Sequence, residues 1–392
     1  MVYASIRLGG ESLVIGRGSI SWLAQVKGRQ AVVVASRSMQ RNGYYEKAVS
    51  LLEAAGLKTK GYFNYGLNPT FDEALHGAKF LKEISPDWVI AIGGGTVMDL
   101  AKLMWVLYEN VSIGSIEALQ AEMDGLEMGK KAKFVCIPST SGSASEVSKS
   151  SVITNNENKR KVPIRNLGMV PTYAILDPEI TLSLPKSITA ETGMDALTHH
   201  LESLVSNNAN PISDAIASSG AVDAIKWLPI AFNDGSNIEA REKMMFCSTM
   251  GGLAFSSSSL GLAHGVAHAI GARLNVPHGL LNAILLPRVI RINTANEKAR
   301  SKYLSVAQHF GQDDLSQIII RLRDLLGLPS VMQEIINNDG FFEDNLSTMV
   351  QDVLDDGLTK LNCVQPSRSQ ILDLLKDVYY GSSAIGLDGD LK

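Results

Sequence analysis

Seven histidines occur in the 392 residues, and five of them, His199, His200, His264, His268 and His278, fall between Met194 and Pro287. Asp195 and His199 are spaced i, i+4, as are His264 and His268, so on helices each pair shares one face a turn apart and can grip a single ion. A carboxylate with imidazoles is a mixed oxygen and nitrogen donor set that suits iron(II) or zinc, whereas calcium and magnesium favour oxygen alone. The ligands read from this spacing are Asp195, His199, His264 and His278, the last inside Val276-Pro277-His278-Gly279, with His268 the alternative to His264. His200 follows His199 by about 100° round a helix and belongs to packing or to the surroundings of the site.

These candidates need helices to hold them, and beyond Leu184-Pro185 the chain shows almost only helical periodicity, over 189–205, 211–232, 240–255, 261–273 and 282–294. Before that point strands and helices alternate. Gln30–Ala35 is a continuous apolar, β-branched run of the kind found in a parallel sheet covered on both faces. A helix over Tyr44–Ala55 ends at Gly56, Tyr62-Phe63-Asn64 forms the next strand, and a further helix spans Phe71–Ile84. Asp87–Ile92 then runs as a strand into Gly93-Gly94-Gly95-Thr96, and a helix starts at Val97. In such a strand, glycine turn and helix N-terminus, backbone N–H groups and the helix dipole bind a diphosphate, although the pattern is neither the dinucleotide fingerprint GxGxxG nor a P-loop. Lys133–Pro138 is a further strand and enters Ser139–Glu146, a loop of small hydroxyl residues placed to bond phosphate and ribose oxygens. The predicted architecture is an α/β dinucleotide-binding domain with a parallel sheet over 1–185 and an all-helical metal and substrate domain over 186–392, with a cleft between them as the expected ligand site.

Bulk composition agrees with two soluble domains: 45% hydrophobic residues, 19% charged and a net charge of −4. That charge and the lack of a long basic run give no reason to expect nucleic acid, the densest cluster being Asn158-Lys159-Arg160-Lys161. Three widely spaced cysteines, Cys136, Cys247 and Cys363, argue against a disulfide framework and for a reducing compartment. With no apolar signal segment at the start and no run of about 18 apolar residues, the expectation is a cytoplasmic protein without a membrane partner.

The motifs together resemble the iron-containing (group III) alcohol dehydrogenases, relatives of glycerol dehydrogenase and 3-dehydroquinate synthase. The resemblance rests on the segments 93–102, 137–142 and 193–199, on Gly261-Leu262-Ala263-His264-Gly265-Val266-Ala267-His268, and on Pro277-His278-Gly279-Leu280-Leu281-Asn282-Ala283. It implies a dehydroquinate synthase-like fold, a metal held by Asp195, His199, His264 and His278, and His268 near the substrate and proton path. It also implies that Gly94, Gly95 and Thr96 bind the diphosphate of NAD(P)H, and that Asn68, Ser139, Thr140, Ser148, Ser150 and Lys161 touch ribose, nicotinamide or phosphate. A dimer or larger homo-oligomer is implied in the same way.

Two departures bear on specificity. Where NAD-preferring members often carry an acidic residue after the second strand, this chain has Ser36-Arg37, so NADP(H) is expected to be tolerated. Where relatives commonly have Asn-Ala, it has Ser256-Ser257-Ser258-Ser259, which with Lys149 and Arg165 suits a substrate with an anionic tail such as a carboxylate, sulfonate or phosphonate. The expected activity is interconversion of a short-chain primary alcohol and its aldehyde. A lyase of the dehydroquinate synthase type is the rival from another class, but it needs a dense basic set around its substrate that the helical half lacks. The remaining alternative is a protein that binds metal and dinucleotide without turnover.

Overall fold

The computed structural model describes residues 9–66, 69–155, 161–274 and 276–381. Asn68 lies outside the described residues, and so does the side chain of Lys161. By contacts the chain divides into two compact units, Met1–Pro185 with Gly235–Ser256, and Lys186–Asp234 with Ser257–Lys392.

In the first unit the strands are β1 (Ser12–Ile15), β2 (Gln30–Ala35), β3 (Lys58–Tyr62), β4 (Trp88–Gly93), β5 (Lys133–Pro138), β6 (Ser150–Thr154), β7 (Lys161–Arg165) and β8 (Tyr173–Leu176). Between them lie α1 (Arg37–Arg41), α2 (Tyr44–Ala54), α3 (Phe71–Ile84), α4 (Gly95–Glu109) and α5 (Ile116–Ala121). Six strands form one sheet in the order β1-β8-β5-β4-β2-β3, and its pairs are parallel. The strand runs are continuous rather than alternating because successive residues enter two different cores. Ala31, Val33, Ile90, Ile92 and Val135 pack on one face with Leu23 and Leu52. Val32, Val34, Val89, Ala91 and Phe134 pack on the other with α3 and α4.

The chain leaves β2 for β3 on one side and later returns to place β4 on the other, so the connections diverge above the C-terminal ends of β2 and β4. A crevice at such a switch point is where open parallel sheets bind ligands. Ser36, just past β2, donates its N–H to Ile92 O at 3.2 Å, which ties the two strand ends together.

β6 and β7 form a separate antiparallel hairpin. Its strands are only five residues long, Pro163 interrupts β7, and the basic cluster at 158–161 reads as loop, so the sequence analysis assigns no strand there. Helix α8 (Ile238–Ser258) falls mostly within Gly235–Ser256 and so groups with the α/β unit, although the sequence places it in the helical half. Thr249 Oγ1 donates to buried Glu146 Oε1 at 2.7 Å and fixes it there. Helical periodicity reports that a helix forms, not which surface it covers.

The second unit contains α6 (Lys186–Val205), α7 (Pro211–Asn233), α9 (Leu262–Leu274), α10 (His278–Asn293), α11 (Glu297–Gln308), α12 (Leu315–Leu325), α13 (Asp339–Asp355) and α14 (Arg368–Tyr380). Every residue of α6 from Met194 to Val205 is buried, as expected of a helix enclosed by neighbours on all sides. α10 begins at His278, four residues before the start expected from periodicity, because Pro277 serves as its N-cap. A Cβ on Gly279 would lie 2.2 Å from Glu191 O, so only glycine lets this first turn approach α6. Among the described residues no helix is long and apolar enough to cross a membrane.

Candidate active site

Helix α6 presents Asp195, His199 and Glu202 on one buried face at spacings of four and three. Asp195 Oδ1 lies 4.0 Å from His199 Nε2, 3.8 Å from His264 Nε2 on α9 and 3.7 Å from His278 Nε2 on α10. Asp195, His199 and His264 each offer a ligand atom, all within 4.8 Å of one another. His278 joins this set through its approach to Asp195 and is the most exposed of the four, with 33% of its side chain accessible. The His199 and His264 rings stack, with centroids 4.9 Å apart and planes at 20°. Burial alone would push the Asp195 carboxyl up, but the facing imidazoles of His199, His278 and His264, with a hydrogen bond from Asn282, hold it below the ordinary carboxylate range.

The donor chemistry fits a first-row divalent metal. One buried carboxylate and three Nε2 atoms converge, and the far side of His264 is occupied by Glu202 Oε2, 2.6 Å from Nδ1, so its Nε2 is the nitrogen turned to Asp195. Of the two alternatives on α9, His264 is thus the one inside the cluster. His268 sits a turn further on, its Nδ1 3.1 Å from Asp356 Oδ2 and its ring stacked on His278 at 5.8 Å. Asp356 Oδ1 accepts from the Leu358 and Thr359 N–H groups at 2.7 and 3.2 Å. Asn282, fully buried, donates to Asp195 Oδ1 at 2.8 Å.

Glu202, Asn282 and Asp356 are supporting residues that the sequence reading missed. The first two carried a signal, since Glu202 is three residues from His199 and Asn282 four from His278 on their helices. Asp356 is 88 residues from His268 and carried none.

In the α/β unit, β4 enters Gly94, which caps α4, and the first turn of α4 contains no acidic side chain. The positive end of the helix dipole is therefore left for an anion. A Cβ on Gly95 would fall 2.7 Å from Ser143 Oγ, so the serine loop lies against the turn. Ser139 is buried and donates its N–H to Gly93 O at 2.9 Å. Thr140 is half-buried, its Cγ2 3.5 Å from where a Cβ on Gly94 would stand, and Thr96 is exposed.

Other cofactor candidates have structural work. Ser148 is buried, and its Oγ accepts from Lys102 Nζ at 3.3 Å. Lys102, fully buried, also donates to the carbonyls of Ser145, Ser148 and Ser150 at 3.0, 2.8 and 2.8 Å. Ser36 caps α1, its Oγ accepting from the Met39 N–H at 3.2 Å. Arg37 beside it is exposed, with its guanidinium 5.2 Å from the centre of the Phe63 ring.

Residues 11–178 match the model of the family described as iron-containing alcohol dehydrogenase, and residues 189–379 match its C-terminal model. The chain belongs to the iron-containing alcohol dehydrogenase family. It is 33% identical over 375 residues to the NADPH-dependent butanol dehydrogenase of Clostridium saccharobutylicum, covering 94% of this chain and 96% of that one. The fold matches an iron-containing alcohol dehydrogenase from Thermococcus thioreducens with a TM-score of 0.88 and 30% identity, over 96% of this chain and 100% of the other. It also matches the sulfoacetaldehyde reductase of Bifidobacterium kashiwanohense, solved with NAD+, with a TM-score of 0.86 and 25% identity over 98% of this chain and 100% of that one. As a member of this family of metal- and NAD(P)-binding enzymes, the chain is an oxidoreductase of the alcohol dehydrogenase type.

Proposed function

We propose that this enzyme interconverts a short-chain primary alcohol and its aldehyde, using iron(II) or zinc held by Asp195, His199, His264 and His278. The convergence of three Nε2 atoms on Asp195 Oδ1 carries this reading. A divalent metal bound there supplies Lewis acidity to the substrate oxygen, and a nicotinamide dinucleotide supplies or accepts the hydride. Asp195 would contribute the negative charge that keeps a cation in a buried site, and the Nε2 lone pairs of the three imidazoles would complete its donor set. Gly94, Gly95, Thr96 and Thr140 bind the diphosphate and its neighbouring oxygens through backbone N–H groups and hydroxyls. His268, ordered by Asp356, takes the alcohol proton towards solvent.

Two finer assignments follow from this chain's own residues. Because no carboxylate follows β2 and Arg37 does, NADP(H) is accepted. Lys149 Nζ bonds to Ser256 O at 3.0 Å, and burial with the charge of Arg165 lowers the Lys149 pKa; a site that crowds two cations favours an anionic substrate tail. Ser256 Oγ is buried with no hydrogen-bond partner among the described residues, whereas Asn210 donates to Ser257 Oγ at 3.5 Å and Ser258 Oγ donates to Ser259 O at 3.2 Å.

The decisive experiment counts metal in wild type and His264→Ala and assays aldehyde reduction with NADPH and NADH. Loss of both metal and activity is expected, and unchanged activity rejects the site. A panel of short aldehydes with and without a terminal carboxylate or sulfonate tests the tail, and equal kcat/KM for butyraldehyde and its charged analogues removes the anionic assignment.

A further inference from the structure

Glu202 takes no part in the chemistry above, yet it is only 1% exposed in the core of the helical unit. A carboxylate is kept in such a place only when hydrogen bonds replace water. Its Oε1 accepts from the Ala263 N–H at 2.5 Å, and its Oε2 accepts from the His264 N–H at 3.4 Å and lies 2.6 Å from His264 Nδ1. Two of these partners are open N–H groups in the first turn of α9, which have no acceptor within the helix. The third is the side chain of a proposed metal ligand.

We propose that Glu202 is a positioning residue that fixes the tautomer and ring orientation of His264 and so sets the affinity of the site for its metal; this rests on the metal reading given above. An acceptor at Nδ1 keeps the imidazole proton there, which leaves Nε2 with its lone pair, facing Asn282 Nδ2 at 3.4 Å, as the nitrogen able to ligate a metal. That Nε2 is the atom 3.8 Å from Asp195 Oδ1. The same carboxylate joins α6 to α9 one turn beyond His199, and so holds the His199 and His264 rings at their 4.9 Å stacking distance. The chain entering α9 is shaped to admit it, since a Cβ on Gly261 would stand 3.2 Å from Glu202 Oε1 and 2.6 Å from Asn362 Oδ1. One side chain therefore sets both the spacing of two helices and the face that one of them offers.

The test is a double-mutant cycle on the full chain, stripped of metal and titrated with Zn(II) against a chromophoric chelator, for wild type, Glu202→Leu, His264→Ala and the double variant. Glu202→Leu is expected to raise the Zn(II) Kd by about 10- to 100-fold, and to add less than about twofold in the His264→Ala background. An unchanged Kd, or an equal loss in both backgrounds, overturns the proposal, because a carboxylate that only caps α9 weakens the fold without acting through His264. If His264→Ala itself leaves the Zn(II) Kd unchanged, the metal reading fails instead. Should Glu202→Leu not fold, the imidazole nitrogen shifts of His264 in the metal-free wild type decide. A proton on Nδ1 supports the proposal, and a proton on Nε2 overturns it.

Discussion

The metal cluster and the glycine turn are built by opposite means. At the cluster the proposed function lies in side chains that are present: Asp195, His199 and His264 are buried, Glu202 steadies His264 and Asn282 steadies Asp195. At the turn the proposed function lies in side chains that are missing, since Gly94 and Gly95 open α4 without a Cβ and Ser143 lies close against Gly95. A cation needs convergent lone pairs and a negative charge, whereas a diphosphate needs a dipole and room for the backbone to approach. The cluster is therefore sensitive to donor chemistry, and the turn to volume.

That contrast breaks most visibly at His264. His264→Ala is expected to lose bound metal and to lower kcat/KM by about 10³-fold or more, since the Lewis acid contributes several kcal/mol, while NADPH affinity measured by fluorescence stays at the wild-type value. Wild-type protein treated with chelator should match it in activity and lose about 3–4 kcal/mol of unfolding free energy relative to protein with metal at 100 to 1,000 times its Kd. The converse change is Gly95→Val. Its branches meet Ser143, so NADPH binding should weaken by about 10²-fold while elemental analysis finds the metal retained. If Gly95→Val also loses metal, the two regions are not independent.

Smaller effects sharpen the comparison. Burial alone would raise the Asp356 carboxyl, but the hydrogen bond and charge of His268 and the Leu358 and Thr359 N–H groups outweigh it and hold its pKa below the ordinary value. A carboxyl depressed in the folded state adds stability above about pH 4, and that stability is lost as pH falls through the lower folded value. Asp356→Asn should therefore cost about 1–2 kcal/mol at neutral pH, with the gap from wild type closing in urea titrations towards pH 2. The smallest change is expected at exposed Arg37. Arg37→Ala should reduce the ratio of kcat/KM for NADPH over NADH by about two- to fivefold, the size expected of a solvent-screened charge.

The sheet was legible because both its faces are covered, which turns β2, β4 and β5 into unbroken apolar runs that periodicity recognises. Helix α3 begins and ends where Thr70 and the pattern to Ile84 place it, with Thr70 and Glu73 forming a capping box. The β6–β7 hairpin was not legible, because its strands carry neither an apolar run nor a tight-turn signature. In the site, the i, i+4 spacings marked Asp195, His199, His264 and His268, but spacing could not choose between His264 and His268. The choice depends on how α9 is rotated, which its packing against α10 and α13 decides together with the contact of His264 with Glu202.

By itself the sequence determined which residue types were available and which of them share a helical face, because those follow from local geometry with a fixed period. It also determined that a glycine turn would meet a helix N-terminus, since strand, turn and helix are contiguous in the chain. Only the tertiary structure decided that Glu202 lies behind His264, that Asp356 orders His268 from 88 residues away, and that Lys102 is spent on holding the serine loop. Such pairings depend on where helices cross and which side chains are left inside without water, and neither is written in the spacing of residues along the chain.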